Sequence, residues 1–245
     1  MEKCGIFFYL YTLKRKKMEE KKIALIETSD GSHTILIDGG NESYHSTNGA
    51  ITESKHVYIR AGLEHFLEQT SSREVRIGEI GFGMGLNAVC VLEYALAHPE
   101  LSFEMRSIEY EPLPTDVLLS LNYAERLGME KEHVEQIFRA EWNARTGILS
   151  NLTLIKEHAD ALDFNFENES IDVLFFDPFA PDKVESPLWS VPFFKKMRAC
   201  LRKNGILTTY CAKGIVRRGL QEAGFNVERL PGPPGKREIL RATKL

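Results

Sequence analysis

Three carboxylates and a glycine-rich turn are the residues best placed to do chemistry in this chain. Glu109 follows the apolar, β-prone run Phe103-Glu104-Met105-Arg106-Ser107-Ile108. Asp160 follows Leu152-Thr153-Leu154-Ile155-Lys156-Glu157, and Asp177 follows Ile171-Asp172-Val173-Leu174-Phe175-Phe176. An ionised carboxylate is acceptor-only with two oxygens, so one acid at a strand end can take hydrogen bonds from two adjacent hydroxyls. The glycine-rich loop Gly78-Glu79-Ile80-Gly81-Phe82-Gly83-Met84-Gly85-Leu86-Asn87 joins the strand-like Val75-Arg76-Ile77 to Ala88–Leu96, which reads as a helix. Glycines there permit a tight turn and let a ligand approach backbone N–H groups at a helix N-terminus. The spacing is G-x-G-x-G. A dinucleotide fingerprint needs its third glycine one place later, where Leu86 stands. The departure weighs against a nicotinamide dinucleotide, while the loop and the acids together suit a nucleoside-bearing ligand.

Strands must carry these groups to one edge. Apolar runs alternate with helical stretches, which predicts an α/β fold with a parallel sheet and right-handed crossovers. Ligands of such sheets sit outside the carboxyl ends of the strands, where all three acids fall. Before the glycine turn, Ile23–Glu27 and Thr34–Ile37 flank Ser29-Asp30-Gly31-Ser32 and predict a small hairpin, and Asp38-Gly39-Gly40-Asn41 predicts a further turn. A helix is expected over about Lys55 to Gln69. This divides the chain into an N-terminal extension with a small β element (1–54) and a main domain (55–245). Leu113 to Ile148 reads as two or three helices anchored by Trp142. Asp182–Trp189 reads as a loop with an aromatic tip. Helices follow over Val191–Leu201 and Ile215–Ala223, with a fifth strand at Gly205–Tyr210. Asn226–Leu230 and Glu238–Ala242 around Pro231-Gly232-Pro233-Pro234-Gly235 predict an antiparallel hairpin that closes the sheet.

Composition narrows the class. No apolar run approaches the roughly 18–20 residues that span a bilayer. Ile6–Tyr11 is greasy, but the basic run Lys14-Arg15-Lys16-Lys17 follows it, the reverse of a secretory signal. The segment reads as an edge strand with a basic linker, or as an extension ahead of a start at Met18, and the expected location is cytoplasmic. Cys4, Cys90, Cys200 and Cys211 have no metal spacing, the histidines make no ligand pair, and no metal is expected. The net charge of −4 hides an asymmetry: −14 through Asp182 and +10 from Lys183 onward. A basic end of this kind suits phosphate.

The order glycine turn, Glu109, Asp160, Asp177, closing hairpin resembles the class I S-adenosylmethionine-dependent methyltransferases, whose sheet is Rossmann-like. The resemblance implies that Gly81, Gly83 and Gly85 lie beside the methionine part of S-adenosylmethionine, Glu109 holds the ribose and Asp160 reaches the adenine. It extends the cofactor contacts to Glu79, Phe82 and Ala161. Asp177 and Phe179, in Asp177-Pro178-Phe179-Ala180, would face the methyl group and its acceptor, Asp177 relaying a proton and Phe179 stacking on a base. The motif only partly matches the Asn/Asp-Pro-Pro-aromatic signature of amine methylases. From about Tyr44 to Leu240 the chain is similar to the methyltransferase half of the bifunctional tRNA 5-methylaminomethyl-2-thiouridine synthesis proteins, most specifically in Val216-Arg217-Arg218-Gly219-Leu220-Gln221 and Gly235-Lys236-Arg237-Glu238. That implies methylation of the 5-aminomethyl group of a wobble uridine, with the precursor supplied by a separate enzyme. Lys213, Arg217, Arg218, Lys236 and Arg237 are then expected to contact the tRNA anticodon arm. A small-molecule amine as acceptor, a nicotinamide oxidoreductase and a non-catalytic binding module are the competing readings.

Overall fold

The computed structural model describes residues 11–13, 21–37, 42–181 and 186–245. Cys4, the Ile6–Leu10 stretch, the Asp38–Asn41 turn and the Asp182–Glu185 part of the loop lie outside these residues.

Strands β1 (Tyr11–Leu13), β2 (Lys21–Glu27), β3 (His33–Ile37) and β4 (Glu42–Ser43) form a small antiparallel sheet in chain order. The expected hairpin is present, with Ile23 opposite Ile37. Residues 50–68 are helical throughout, and Lys55–Glu64 is wound as π-helix. The expected division between residues 54 and 55 falls inside this helical segment. Ile23 and Ile35 of the small sheet share one core with the main domain.

The main sheet contains β5 (Glu74–Ile80), β6 (Ser102–Glu109), β7 (Ala144–Leu149), β8 (Leu152–His158), β9 (Ile171–Phe176), β10 (Leu201–Thr209), β11 (Asn226–Pro231) and β12 (Glu238–Thr243). Its order is β11-β12-β10-β9-β5-β6-β8-β7. The inner five strands are parallel, and the terminal hairpin is antiparallel to β10. The chain runs outward in both directions from the β5/β9 pair, so the crevice at their carboxyl ends is a switch point for ligand binding. β9 is buried on both faces, as an inner parallel strand must be.

Three expectations need correction. Gly78-Glu79-Ile80 continue β5, because each pairs with β6 on one side and β9 on the other; the turn proper is Gly81–Gly85. The region 113–148 holds three short helices, Thr115–Leu119, Tyr123–Leu127 and Lys131–Arg139, but its end is β7, an antiparallel edge strand on β8. Trp189 is no exposed tip: it is buried against Phe176, Phe194 and Tyr210.

Candidate functional site

The glycine turn ends at the helix Leu86–Ala97. Gly81 has φ +93°, and a Cβ there would lie 2.7 Å from the Asp177 carbonyl oxygen. Only glycine fits such a backbone contact without strain. The Gly81 N–H donates to Ile108 O at 2.9 Å, and the Asp177 N–H to Ile80 O at 3.0 Å. The turn and the ends of β5, β6 and β9 are thus locked together by main-chain bonds.

Glu109 closes β6 and is half-buried. Its Oε2 accepts from the Gly83 N–H at 2.9 Å and its Oε1 from the Glu111 N–H at 2.8 Å. Each oxygen keeps a second lone pair, so the carboxylate that braces the turn still suits a vicinal diol. Beside it, the Ala159 N–H donates to Glu109 O at 3.0 Å, which sets Asp160 next to Glu109. Asp160 Oδ1 accepts from the Leu162 N–H at 2.9 Å and shapes the turn after β8. A glycine turn beside two carboxylates at adjacent strand ends fits S-adenosylmethionine.

The other expected cofactor contacts occupy different places. Glu79 is fully buried under the turn, accepting from Asn87 Nδ2 at 2.9 Å and from the Ser107 hydroxyl. Burial pushes its carboxyl up to about 8, against the pull of those bonds. Phe82 is a core residue, edge-on to Trp142 and under the Lys156 ammonium. Ala161 is buried, and its carbonyl accepts from Lys196 Nζ at 3.3 Å. These three support the binding edge from below.

Asp177 directly follows β9 at the switch point. Asn87 Nδ2 donates to its Oδ2 at 2.9 Å, and the same amide reaches Glu79. Ser54 orients that amide by donating to Asn87 Oδ1 at 2.7 Å. Burial lifts the Asp177 carboxyl to about 7, opposed by the Tyr58 hydroxyl and Asn87, raised further by Glu53 and lowered by Lys236. Burial, then the Asp177 charge, hold the Tyr58 phenol well above its ordinary range. A carboxylate poised near neutrality suits proton transfer. The segment after Asp177 is pinned: the Tyr210 hydroxyl donates to Pro178 O and Trp189 Nε1 to Phe179 O, both at 2.8 Å. The Phe179 ring meets Tyr44 edge-on, with centroids 5.3 Å apart, and Tyr44 also borders Gly83.

The basic residues divide. Lys213, Arg218 and Arg237 are exposed and Arg217 is half-buried. Lys236 corrects the expectation of a phosphate contact. Its Nζ turns inward, 2.6 Å from Glu53 Oε1 and 4.0 Å from the centroid of the Tyr210 ring. Sequence reasoning did not assign Tyr44, Glu53, Tyr58, Asn87 or Tyr210 to the site. Asn87 and Tyr210 stood beside recognised motifs; Glu53 and Tyr58 lie on a helix with no motif at all.

Among the described residues no helix is long and apolar enough to cross a membrane, and no group of His, Cys, Asp and Glu is arranged to hold a metal ion. Cys90, Cys200 and Cys211 are buried.

Residues 130–245 match a family model described as S-adenosyl-L-methionine-dependent methyltransferase. A tRNA 5-methylaminomethyl-2-thiouridine biosynthesis bifunctional protein MnmC of Pseudomonas paraeruginosa is 32% identical over 211 residues, covering 82% of this chain and 32% of that protein. Its Chromohalobacter salexigens counterpart is 29% identical over 213 residues, covering 80% and 29%. This chain therefore spans about a third of the length of these curated relatives. The crystal structure of MNMC2 from Aquifex aeolicus superposes with a TM-score of 0.70 at 27% identity, covering 91% of this chain and 71% of that one.

Proposed function

This chain belongs to the S-adenosyl-L-methionine-dependent methyltransferases, and from that premise we propose that it methylates the 5-aminomethyl group of a tRNA wobble uridine. The observation that carries the reading is Asp177. It is an acid poised near neutrality at the switch point, on a segment fixed by Tyr210 and Trp189 and next to an aromatic ring.

S-adenosylmethionine supplies a methyl group already activated by its sulfonium. The protein has to bring a neutral amine into line with it, and alignment alone can remove several kcal/mol of barrier. The 5-aminomethyl group arrives as an ammonium, and Asp177 as carboxylate takes one proton from it. The nitrogen lone pair then bonds to the methyl carbon, while the carbon–sulfur bond breaks and its electron pair leaves with sulfur. Asp177 returns its proton to solvent as product departs, so one proton is released per turnover. Phe179 offers a face on which the extruded uracil stacks. Lys213, Arg217, Arg218 and Arg237 hold the anticodon arm through phosphates. The precursor comes from an enzyme that builds the aminomethyl group.

Incubating the chain with S-adenosylmethionine and tRNA bearing 5-aminomethyl-uridine, followed by nucleoside mass spectrometry, tests the reading. The expected product is the 5-methylaminomethyl nucleoside. Unchanged nucleosides, with methyl transfer to free amines instead, would support the small-molecule alternative.

A further inference from the structure

Lys236 leaves a chemical remainder. It pairs with one oxygen of Glu53 only, and Glu53 Oε2 has no hydrogen-bond partner although the side chain is 9% exposed. His45 Nδ1 is likewise buried without a hydrogen-bond partner, and the Tyr58 hydroxyl faces Asp177. These groups share one electrostatic neighbourhood: Asp177 senses both Glu53 and Lys236, Tyr58 senses Asp177 and Glu53, and His45 senses Lys236. A buried acceptor left unsatisfied costs on the order of 1–3 kcal/mol and calls for an explanation. Main-chain links hold the group together. Ser54, next to Glu53, orients the Asn87 amide that donates to Asp177, and Tyr210, under the Lys236 ammonium, bonds to Pro178, next to Asp177.

We propose that Glu53 is a second acceptor-binding carboxylate, whose unpartnered oxygen receives the ammonium of the substrate beside Asp177. Lys236 is the positioning residue that holds Glu53 by its other oxygen. The charge count agrees. Among the described residues Glu53 and Asp177 face one cation, Lys236, and Glu79 stands behind Asn87, so the pocket is one positive charge short and would repel phosphate. His45, uncharged at neutral pH because burial lowers it to about 4, adds no cation. Tyr210 already carries one ammonium over its ring, which shows the chemistry this corner accepts. Glu53 binds and orients; Asp177 takes the proton. The inference rests on the amine reading of the preceding section.

The test uses the full chain with S-adenosylhomocysteine bound, so that no turnover occurs. Affinities are measured for two tRNAs that differ only in 5-aminomethyl-uridine or uridine at the wobble position. The wild type should prefer the aminomethyl tRNA at least about tenfold. Glu53→Gln alone strands the Lys236 charge, so the double variant Glu53→Gln/Lys236→Met is the informative one. It should lose the preference, keep S-adenosylhomocysteine affinity within about twofold, and raise KM for tRNA about tenfold with kcat changed less than threefold. Lys236→Met alone keeps the Glu53 carboxylate but no longer holds it, so it should reduce the preference without abolishing it. A double variant that retains it, or a wild type that binds both tRNAs equally, overturns the role of Glu53. A wild type that never methylates the aminomethyl tRNA fails at the earlier reading instead, and separates the two.

Discussion

At the scale of single residues, the site depends on carboxyl groups held away from their ordinary acidity by burial. Asp177 sits at about 7 in the folded chain, against an ordinary value of 3.8. Its folded value is raised, so its favourable contribution is complete below the unfolded pKa and is lost as pH rises from about 4 through 7. Asp177→Asn should therefore melt higher than wild type above pH 7, while turnover falls by at least about 10²-fold. Thermal melts at pH 5 and pH 8, beside a rate assay, check both halves; an unchanged rate would remove Asp177 from the chemistry. In the wild type, kcat should rise with pH as Asp177 ionises and level off above about 7. Glu79, raised to about 8, is mainly protonated at neutral pH and bridges Asn87 and Ser107. Glutamine offers a carbonyl acceptor to the Asn87 amide and an N–H donor to the Ser107 oxygen, in place of the protonated acid's carbonyl and hydroxyl. Glu79→Gln should retain cofactor binding and melt near wild type, whereas Glu79→Ala should lose about 2–5 kcal/mol by leaving Asn87 and Ser107 beside a cavity. Equal melts for the two variants would show that the hydrogen-bond bridge is immaterial.

At the scale of elements, the strand ends do the positioning. Glu109 braces Gly83, and if it also holds the ribose as proposed, Glu109→Ala should weaken S-adenosylmethionine by about 1.5–3 kcal/mol in calorimetric titration. Affinity equal to wild type would move the ribose elsewhere. Gly81→Ala should cost about 1–3 kcal/mol of stability, because it places a Cβ against the Asp177 carbonyl at positive φ; a melt unchanged from wild type would argue against that turn geometry. Much of this level was legible in the sequence. The parallel strands carry continuous apolar runs, their terminal acids break those runs, and the closing hairpin is marked by its prolines and glycines. β7 was hidden because Ala144-Arg145-Thr146-Gly147-Ile148-Leu149 is a half-exposed edge strand with little apolar alternation. It enters through Asn143 at φ 60°, a turn no spacing rule announces. The helical segment 50–68 hid its chemistry differently. Glu53 and Tyr58 look like ordinary helix residues until the chain folds Lys236 and Asp177 against them, bringing together residues as much as 183 positions apart. Lys236 was misread for the same reason: a lysine in a glycine-proline turn looks solvated when its partner is so distant.

At the scale of the whole molecule, the proposed phosphate contacts lie in the basic C-terminal third, where Lys213, Arg218 and Arg237 are exposed and Lys236 instead pairs with Glu53. If Lys213, Arg218 and Arg237 neutralise phosphates of the anticodon arm, tRNA affinity should fall steeply with salt. Replacing the three by alanine should flatten the slope of log affinity against log salt by about 0.7–0.9 for each phosphate no longer neutralised. Lys236→Met should leave that slope unchanged, and cofactor titrations should be the same throughout. A slope unaffected by the triple variant would place the tRNA on another face.

The proposed reaction stands or falls on the identity of the atom that is methylated, and isotope tracing reads it directly. The chain is supplied with S-adenosylmethionine labelled in its methyl group and with tRNA bearing 5-aminomethyl-uridine, and the nucleosides are fragmented in tandem mass spectrometry. Label is expected on the exocyclic amine of the wobble uridine with wild type, and almost none with Asp177→Asn. Label on a ring atom or a ribose, or full labelling by the Asp177 variant, would contradict the mechanism.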